Sequence, residues 1–235
     1  MTIFETKYLY WVLLLFTLLG PILYSFERKV HFYSHWGRVI LSSLVMMALF
    51  IPWDIIFTRM NVWGFSHSYT LGLFILDLPI EEWLFFIAIP FACVFVYEIL
   101  RYYLPTLRPN WAILTVLLVA FAMLFLTLTI TFFGRLYTFY ASALAIVWVL
   151  WLLIKRPYWT AHFLLMFVLI MIPFILVNGT LTGMATATPV VSYNAAHIMG
   201  PRLITIPLED TIYNFDMLIM TVATFEWLKA KKSQS

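Results

Sequence analysis

Two short acidic pairs are the residues best suited to chemistry. Glu81-Glu82 follows Pro79-Ile80 and precedes Trp83-Leu84-Phe85-Phe86, while Glu209-Asp210 follows Pro207-Leu208 and precedes Thr211-Ile212-Tyr213. The chain is 64% hydrophobic and 11% charged, so two such pairs at the mouths of apolar runs need a cause. A plain structural one exists. Proline suits the start of a helix, and acids in the first turn complement the helix dipole. Duplication of the pair argues for more. Neighbouring helical residues point about 100° apart, so one acid of each pair can face a cavity while the other faces a loop or an adjacent helix. A carboxyl group in an apolar pocket can keep its proton and act as a general acid. One that is hydrogen-bonded, or beside a cation such as Arg59 or Arg202, stays ionised and can act as a base.

Asp54, after Ile51-Pro52-Trp53, supports two readings. An acid inside a spanning segment is a functional candidate; equally, Asp54 can sit at the interface and pair with Arg59. Of the histidines, His31, His35 and His162 read as surface or interfacial residues, and His67 and His197 fall in loops near the acidic pairs. No histidine–acid spacing suits a metal, and the one cysteine, Cys93, leaves no disulfide framework. Glycine-rich nucleotide loops, aspartate-rich diphosphate motifs and a serine nucleophile elbow are missing, so no cofactor is expected. Basic residues are scattered, which gives nucleic acid no footprint. Trp83 and Phe86 share the face near Glu82 by helical spacing, and Tyr213 lies four residues after Glu209. Aromatic faces stabilise cations. An acid, a base and a ring-lined apolar pocket suit carbocation chemistry on an isoprenoid, with Trp83, Phe86 and Tyr213 as substrate contacts.

The elements that must hold these residues are seven apolar segments: 8–26, 39–58, 79–100, 111–133, 137–154, 162–177 and 207–228. Most approach the ~20 residues needed to cross a bilayer, where only helix satisfies the backbone. The sixth is the shortest and can extend past Asn178 or unwind. The expected fold is an all-α polytopic membrane bundle in one domain, with the lipid bilayer as its surroundings. Of the 14 Lys and Arg residues, ten lie on one side of the segments and four on the other. This places the C-terminus in the cytoplasm and the N-terminus outside a cell membrane. An offset of 128 residues superposes Gly72 on Gly200, Pro79 on Pro207, Glu81 on Glu209, Glu82 on Asp210 and Glu98 on Glu226. We therefore expect two parallel three-helix repeats, about 8–104 and 136–229, joined by a connecting helix at about 110–133. The long loops 59–78 and 178–206 are expected to act as lids.

Pro79-Ile80-Glu81-Glu82 with Phe85-Phe86, and Pro207-Leu208-Glu209-Asp210 with Tyr213, resemble the paired signature of the membrane-integral lycopene cyclases. These occur as two small subunits in some bacteria, and as fused halves in others and in fungal bifunctional enzymes. The chain resembles the fused form over nearly its whole length. The resemblance implies an intramolecular lyase or isomerase that turns the linear ends of lycopene, or a related linear carotenoid, into rings without net redox change. Glu82 or Glu81 would then be the acid and Glu209 or Asp210 the base, and the reverse assignment also stands. Asp210 replaces a glutamate in the second motif, and Asp54 has no acidic mate in the second half, so which half reacts is open. Two other classes fit parts of the pattern: a proton-coupled transporter, or a non-catalytic scaffold of a carotenoid enzyme complex. Against a proton relay, Glu98 and Glu226 lie about 25 Å from the motif acids at 1.5 Å per residue.

Overall fold

The computed structural model describes residues 5–232. It is a helical bundle of α1 (Leu9–Tyr24), α2 (Trp36–Arg59), α3 (Ile80–Tyr103), α4 (Trp111–Thr131), α5 (Leu136–Lys155), α6 (Thr160–Leu181) and α7 (Leu208–Lys232). Helices α2 to α6 are long and apolar enough to cross a membrane, and the chain is a membrane protein by that composition. Helix α6 runs on through Asn178, so the shortest expected span is full length. The other two helices depart from the sequence expectation for physical reasons. Helix α1 has 16 residues, about 24 Å against a hydrocarbon core of about 30 Å. Helix α7 has 25 residues, but Glu209, Asp210, Asp216 and Glu226 dilute its apolar character.

Helix α3 packs against α1, α2, α6 and α7, while α7 packs against α2, α5, α3 and α6. These two helices carry the acidic pairs. Helix α4 packs on α5 and otherwise presents exposed Val116, Leu117, Phe121 and Leu124 outward. Asn110 caps it, its Oδ1 accepting from the Ala112 and Ile113 amides at 3.2 and 3.4 Å, an arrangement worth about 1 kcal/mol.

The two long loops contain short strands, which the helical reading did not foresee. Strands β2 (Phe74–Ile75) and β3 (Leu78–Pro79) form a hairpin, with Phe74 opposite Pro79. Its two turn residues, Leu76 and Asp77, both have positive φ, the geometry of the tight turns that match strand twist. Strands β5 (Arg202–Leu203) and β6 (Ile206–Pro207) repeat this hairpin, with Arg202 opposite Pro207 and Ile204 at positive φ. Each hairpin is preceded by a glycine in the left-handed region, Gly72 at +79° and Gly200 at +107°, a conformation that costs other residues a steric penalty. Each hairpin runs directly into its helix. Pro79 is the N-cap of α3 rather than its first helical residue.

The remaining strands, β1 (Trp63–Phe65) and β4 (Val191–Tyr193), pair antiparallel with Gly64 opposite Ser192. These two residues stand 128 positions apart, the same offset that relates the acidic pairs. A pair of equivalent strands that cross at their own equivalent residue is what a two-fold axis between them would produce.

Candidate active site

The first turns of α3 and α7 decide where each carboxyl group goes. Glu81 Oε1 accepts from the Leu71 amide at 2.7 Å. Glu209 Oε1 accepts from the Met199 amide and from Thr138 Oγ1, the latter at 2.6 Å. Both side chains are fully buried and tie the incoming loop to the helix start. Neither lines the cavity. One residue on, and rotated by about 100°, Glu82 and Asp210 face a shared cavity of about 70 Å³, which Asp54 of α2 also lines. The three carboxyls are 8%, 5% and 3% exposed, respectively.

Their partners differ. The Tyr10 hydroxyl donates to Glu82 Oε2 at 2.5 Å. Asp210 accepts three hydrogen bonds, from Tyr137 at 2.8 Å, Asn178 Nδ2 at 2.8 Å and Tyr193 at 2.9 Å. Asp54 Oδ2 has no hydrogen-bond partner among the described residues. Tyr193 belongs to β4, outside the helices. Burial, and then the Asp210 carboxylate, push its phenol well above the ordinary range, so it remains a donor.

No cation pairs with the cavity carboxyls among the described residues, contrary to the expectation for Arg59 and Arg202. Arg59 Nε instead holds Asp77, in the first hairpin turn, at 2.7 Å. Arg202 Nη1 donates to the Thr205 carbonyl at 2.6 Å. Asp54 therefore has no ion pair with Arg59. The aromatic wall also shifts by one residue. Trp83 and Phe86 do not line the cavity. The Trp83 indole donates to the Ile75 carbonyl at 3.3 Å, and Phe86 is buried against Phe50. Phe85 lines the cavity in their place, with Trp63, Tyr137, Tyr193 and Tyr213. Tyr213 sits edge-on to Phe50 and Trp53, with centroids 5.0 and 5.2 Å away, and its hydroxyl is unpartnered among the described residues. Tyr137 stacks on Tyr193 at 5.9 Å.

Tyr10, Tyr137, Tyr193, Asn178 and Asn214 also belong to the cavity, and the sequence reading passed over them. One signal was available: Tyr10 and Tyr137 stand 127 residues apart, one short of the offset between the acidic pairs. Other candidates lie elsewhere. His67 packs against Phe74, and His197 lends its carbonyl to the Tyr137 amide at 3.0 Å. His35 and His162 are not surface residues: His162 is buried against the Leu104 carbonyl at 2.9 Å, and His35 lies 3.5 Å from Glu98. Asp216 of α7 is fully buried with neither carboxyl oxygen hydrogen-bonded among the described residues.

The far ends of α3 and α7 hold a second set of acids. Glu226 accepts from Tyr97 at 2.9 Å and Tyr158 at 2.7 Å, and pairs with Arg101. Glu98 pairs with Lys229 at 2.9 Å.

A lycopene cyclase family model matches residues 7–100 and 134–228, the stretches that hold α1–α3 and α5–α7. No curated protein and no solved structure matches the chain. The matched stretches span most of the sequence and contain each of the three cavity carboxyls, and on that basis the chain belongs to the lycopene cyclase family.

Proposed function

We propose that the protein closes six-membered end rings on lycopene or a related linear carotenoid, by proton-initiated and redox-neutral cyclisation in the cavity between α3 and α7. The supporting observation is the convergence of Glu82, Asp54 and Asp210 on one buried, aromatic-walled space where none of the three is paired with a cation. Glu82 is the acid. It shares the space with Asp54, and two carboxyls confined together in a poor solvent retain a proton between them. Asp210, which accepts three hydrogen bonds, is the base.

In the first step the Glu82 O–H bond breaks and a C–H bond forms at the terminal double bond, leaving a tertiary cation. The neighbouring double bond attacks it, a C–C bond closes the ring, and the charge moves onto the ring. Trp63, Tyr137 and Tyr213 can lend their electron-rich faces to that cation. Asp210 removes a ring proton to regenerate a double bond, and the C–H bond it breaks sets the ring type. Asp210 then gives its proton to solvent and Glu82 takes one up from solvent, which restores the enzyme, and the product is an isomer of the substrate. Each positioned proton transfer contributes about 10²–10⁴-fold. Glu81 and Glu209 serve this site by anchoring the loops in front of it.

Both halves supply carboxyls to the same cavity, so one substrate end reacts at a time. The twin hairpins and the Gly64–Ser192 crossing support an internal duplication of about 8–104 and 136–229 around the connecting helix. The proposed setting is multi-pass in a cell membrane, with the N-terminus outside and the C-terminus cytoplasmic. Expression in a lycopene-accumulating bacterium, followed by chromatography of the pigments, tests the reading. Cyclic carotenoid is expected. Unchanged lycopene, with the protein verified in the membrane, contradicts it.

A further inference from the structure

Beside the acidic cavity lies a larger groove of about 460 Å³. Its floor is α3, and its walls are α1 and α6, both of which pack on α3. Along α3 it extends from Phe85 to Val96, about 16 Å at 1.5 Å per residue. Its lining is apolar apart from Thr17, Tyr24, Asn178 and Asn214. Phe16, Leu19 and Tyr24 on its α1 rim are exposed to the surroundings of the bundle. Four residues line both spaces, namely Phe85, Phe174, Asn178 and Asn214. The two spaces therefore adjoin at a throat of two rings and two amides.

We infer that this groove seats the polyene chain of the substrate and admits it sideways from the bilayer, so that the reacting end passes the throat and meets Glu82 while the remainder lies between α1 and α6. This rests on the cyclase reading of the cavity. The argument is one of continuity and solvent. A long hydrocarbon gains no burial by crossing water, and the acidic cavity is far too small for the whole molecule. The groove is apolar, exposed along its α1 rim and adjacent to the cavity that holds the carboxyls. At the throat, Asn178 is already engaged with Asp210, so substrate seated there abuts the hydrogen-bond set of the proposed base. The exposed rim leaves room for the far end of the molecule in lipid, whether that end is linear or already ringed.

Gly20 gives a clean test, because it lines the groove and a Cβ added there meets nothing within 4 Å. Gly20→Trp should fold, since glycine is the weaker helix former, and should block the seat. With purified protein in liposomes, wild type should cyclise lycopene, and Val116→Trp, on the exposed face of α4, should stay within about twofold of it. Gly20→Trp should lose at least about tenfold in kcat/KM, equivalent to about two buried methylenes of contact. A second measurement does not depend on turnover. In a Glu82→Gln, Cys93→Ser, Gly20→Cys protein, lycopene should slow alkylation of the introduced thiol by N-ethylmaleimide. Wild-type protein that leaves lycopene unchanged would overturn the cyclase reading itself. Active wild type together with full activity in Gly20→Trp would overturn the groove alone. So would a thiol that lipid shields and lycopene shields no further, which would make the groove a seat for acyl chains.

Discussion

At one end of α3 and α7, Glu82 and Asp210 meet tyrosine hydroxyls and an asparagine amide. At the other end of the same two helices, Glu98 and Glu226 meet Lys229 and Arg101. The acids are of one chemical kind, all are buried, and the same offset of 128 relates the members of each pair. Their companions differ. A buried carboxylate held by a cation is committed: its charge is compensated, and removing either partner strands the other. A buried carboxyl among neutral donors is uncommitted and can exchange a proton with something brought beside it. The far end therefore reads as a clasp that joins α3 to α7, and the near end as the place where chemistry is possible.

Substitutions at the two ends should separate these roles. The largest effect on turnover is expected from Glu82→Gln and Asp210→Asn. Each should reduce lycopene cyclisation by about 10²–10⁴-fold while the melting temperature in detergent stays near wild type. Retained activity in both would remove the distinction between the ends. Next, Glu226→Gln should act on stability instead. It leaves Arg101 partly buried without its anion, for a loss of about 1–3 kcal/mol after allowance for the partial exposure of Arg101. Activity per folded molecule should be unchanged, and a denaturant or thermal titration paired with a single-time-point assay reads both quantities. A turnover defect as deep as that of Glu82→Gln would show that the far end also takes part in the chemistry.

A smaller effect is expected at Tyr193→Phe, which removes one of three donors to Asp210. A net hydrogen bond of about 1 kcal/mol corresponds to roughly fivefold in rate, and the loss should appear in kcat. The smallest concerns the loop cover. Glu5 accepts from the Tyr69 hydroxyl at 2.6 Å and from the Ala187 amide at 2.8 Å, and the Tyr69 bond first, then the Ala187 bond, hold its carboxyl below its ordinary range. A lowered folded-state value means that this clip is fully present above the ordinary carboxylate range and is lost as pH falls through the folded value. The protection of the Ala187 amide, measured as exchange relative to its intrinsic rate at each pH, should fall on acidification below that range in wild type and be uniformly low in Glu5→Ala. Protection that does not respond to pH in wild type would dissociate the clip from the loop.

The helices and the acidic pairs were legible because both rest on local pattern. Twenty apolar residues in a row have one stable backbone in a membrane, and two adjacent acids on a helix diverge in direction whatever the packing. The strands were hidden because a two-residue strand has no period to detect. The tyrosines that serve Glu82 and Asp210 are three among 13, and only the paths of α1, α5 and the β4 ribbon select them. Trp83 and Phe86 were misplaced for a related reason. Spacing places them near Glu82, but which flank of α3 opens to the cavity depends on where α1 and α6 pack, and that packing exposes Phe85. Of the two readings of Asp54, pairing with Arg59 gives way, because the hairpin turn brings Asp77 to Arg59 and leaves Asp54 to the cavity.

In the proposed cyclisation a proton from Glu82 becomes part of the product. Turnover of lycopene in heavy water, with mass spectrometry of the purified cyclic carotenoid, tests it directly. One deuterium should be retained for each ring formed, with no labelled product from a folded Glu82→Gln protein. Rings that form without deuterium, or labelled rings made at wild-type rate by Glu82→Gln, would contradict it.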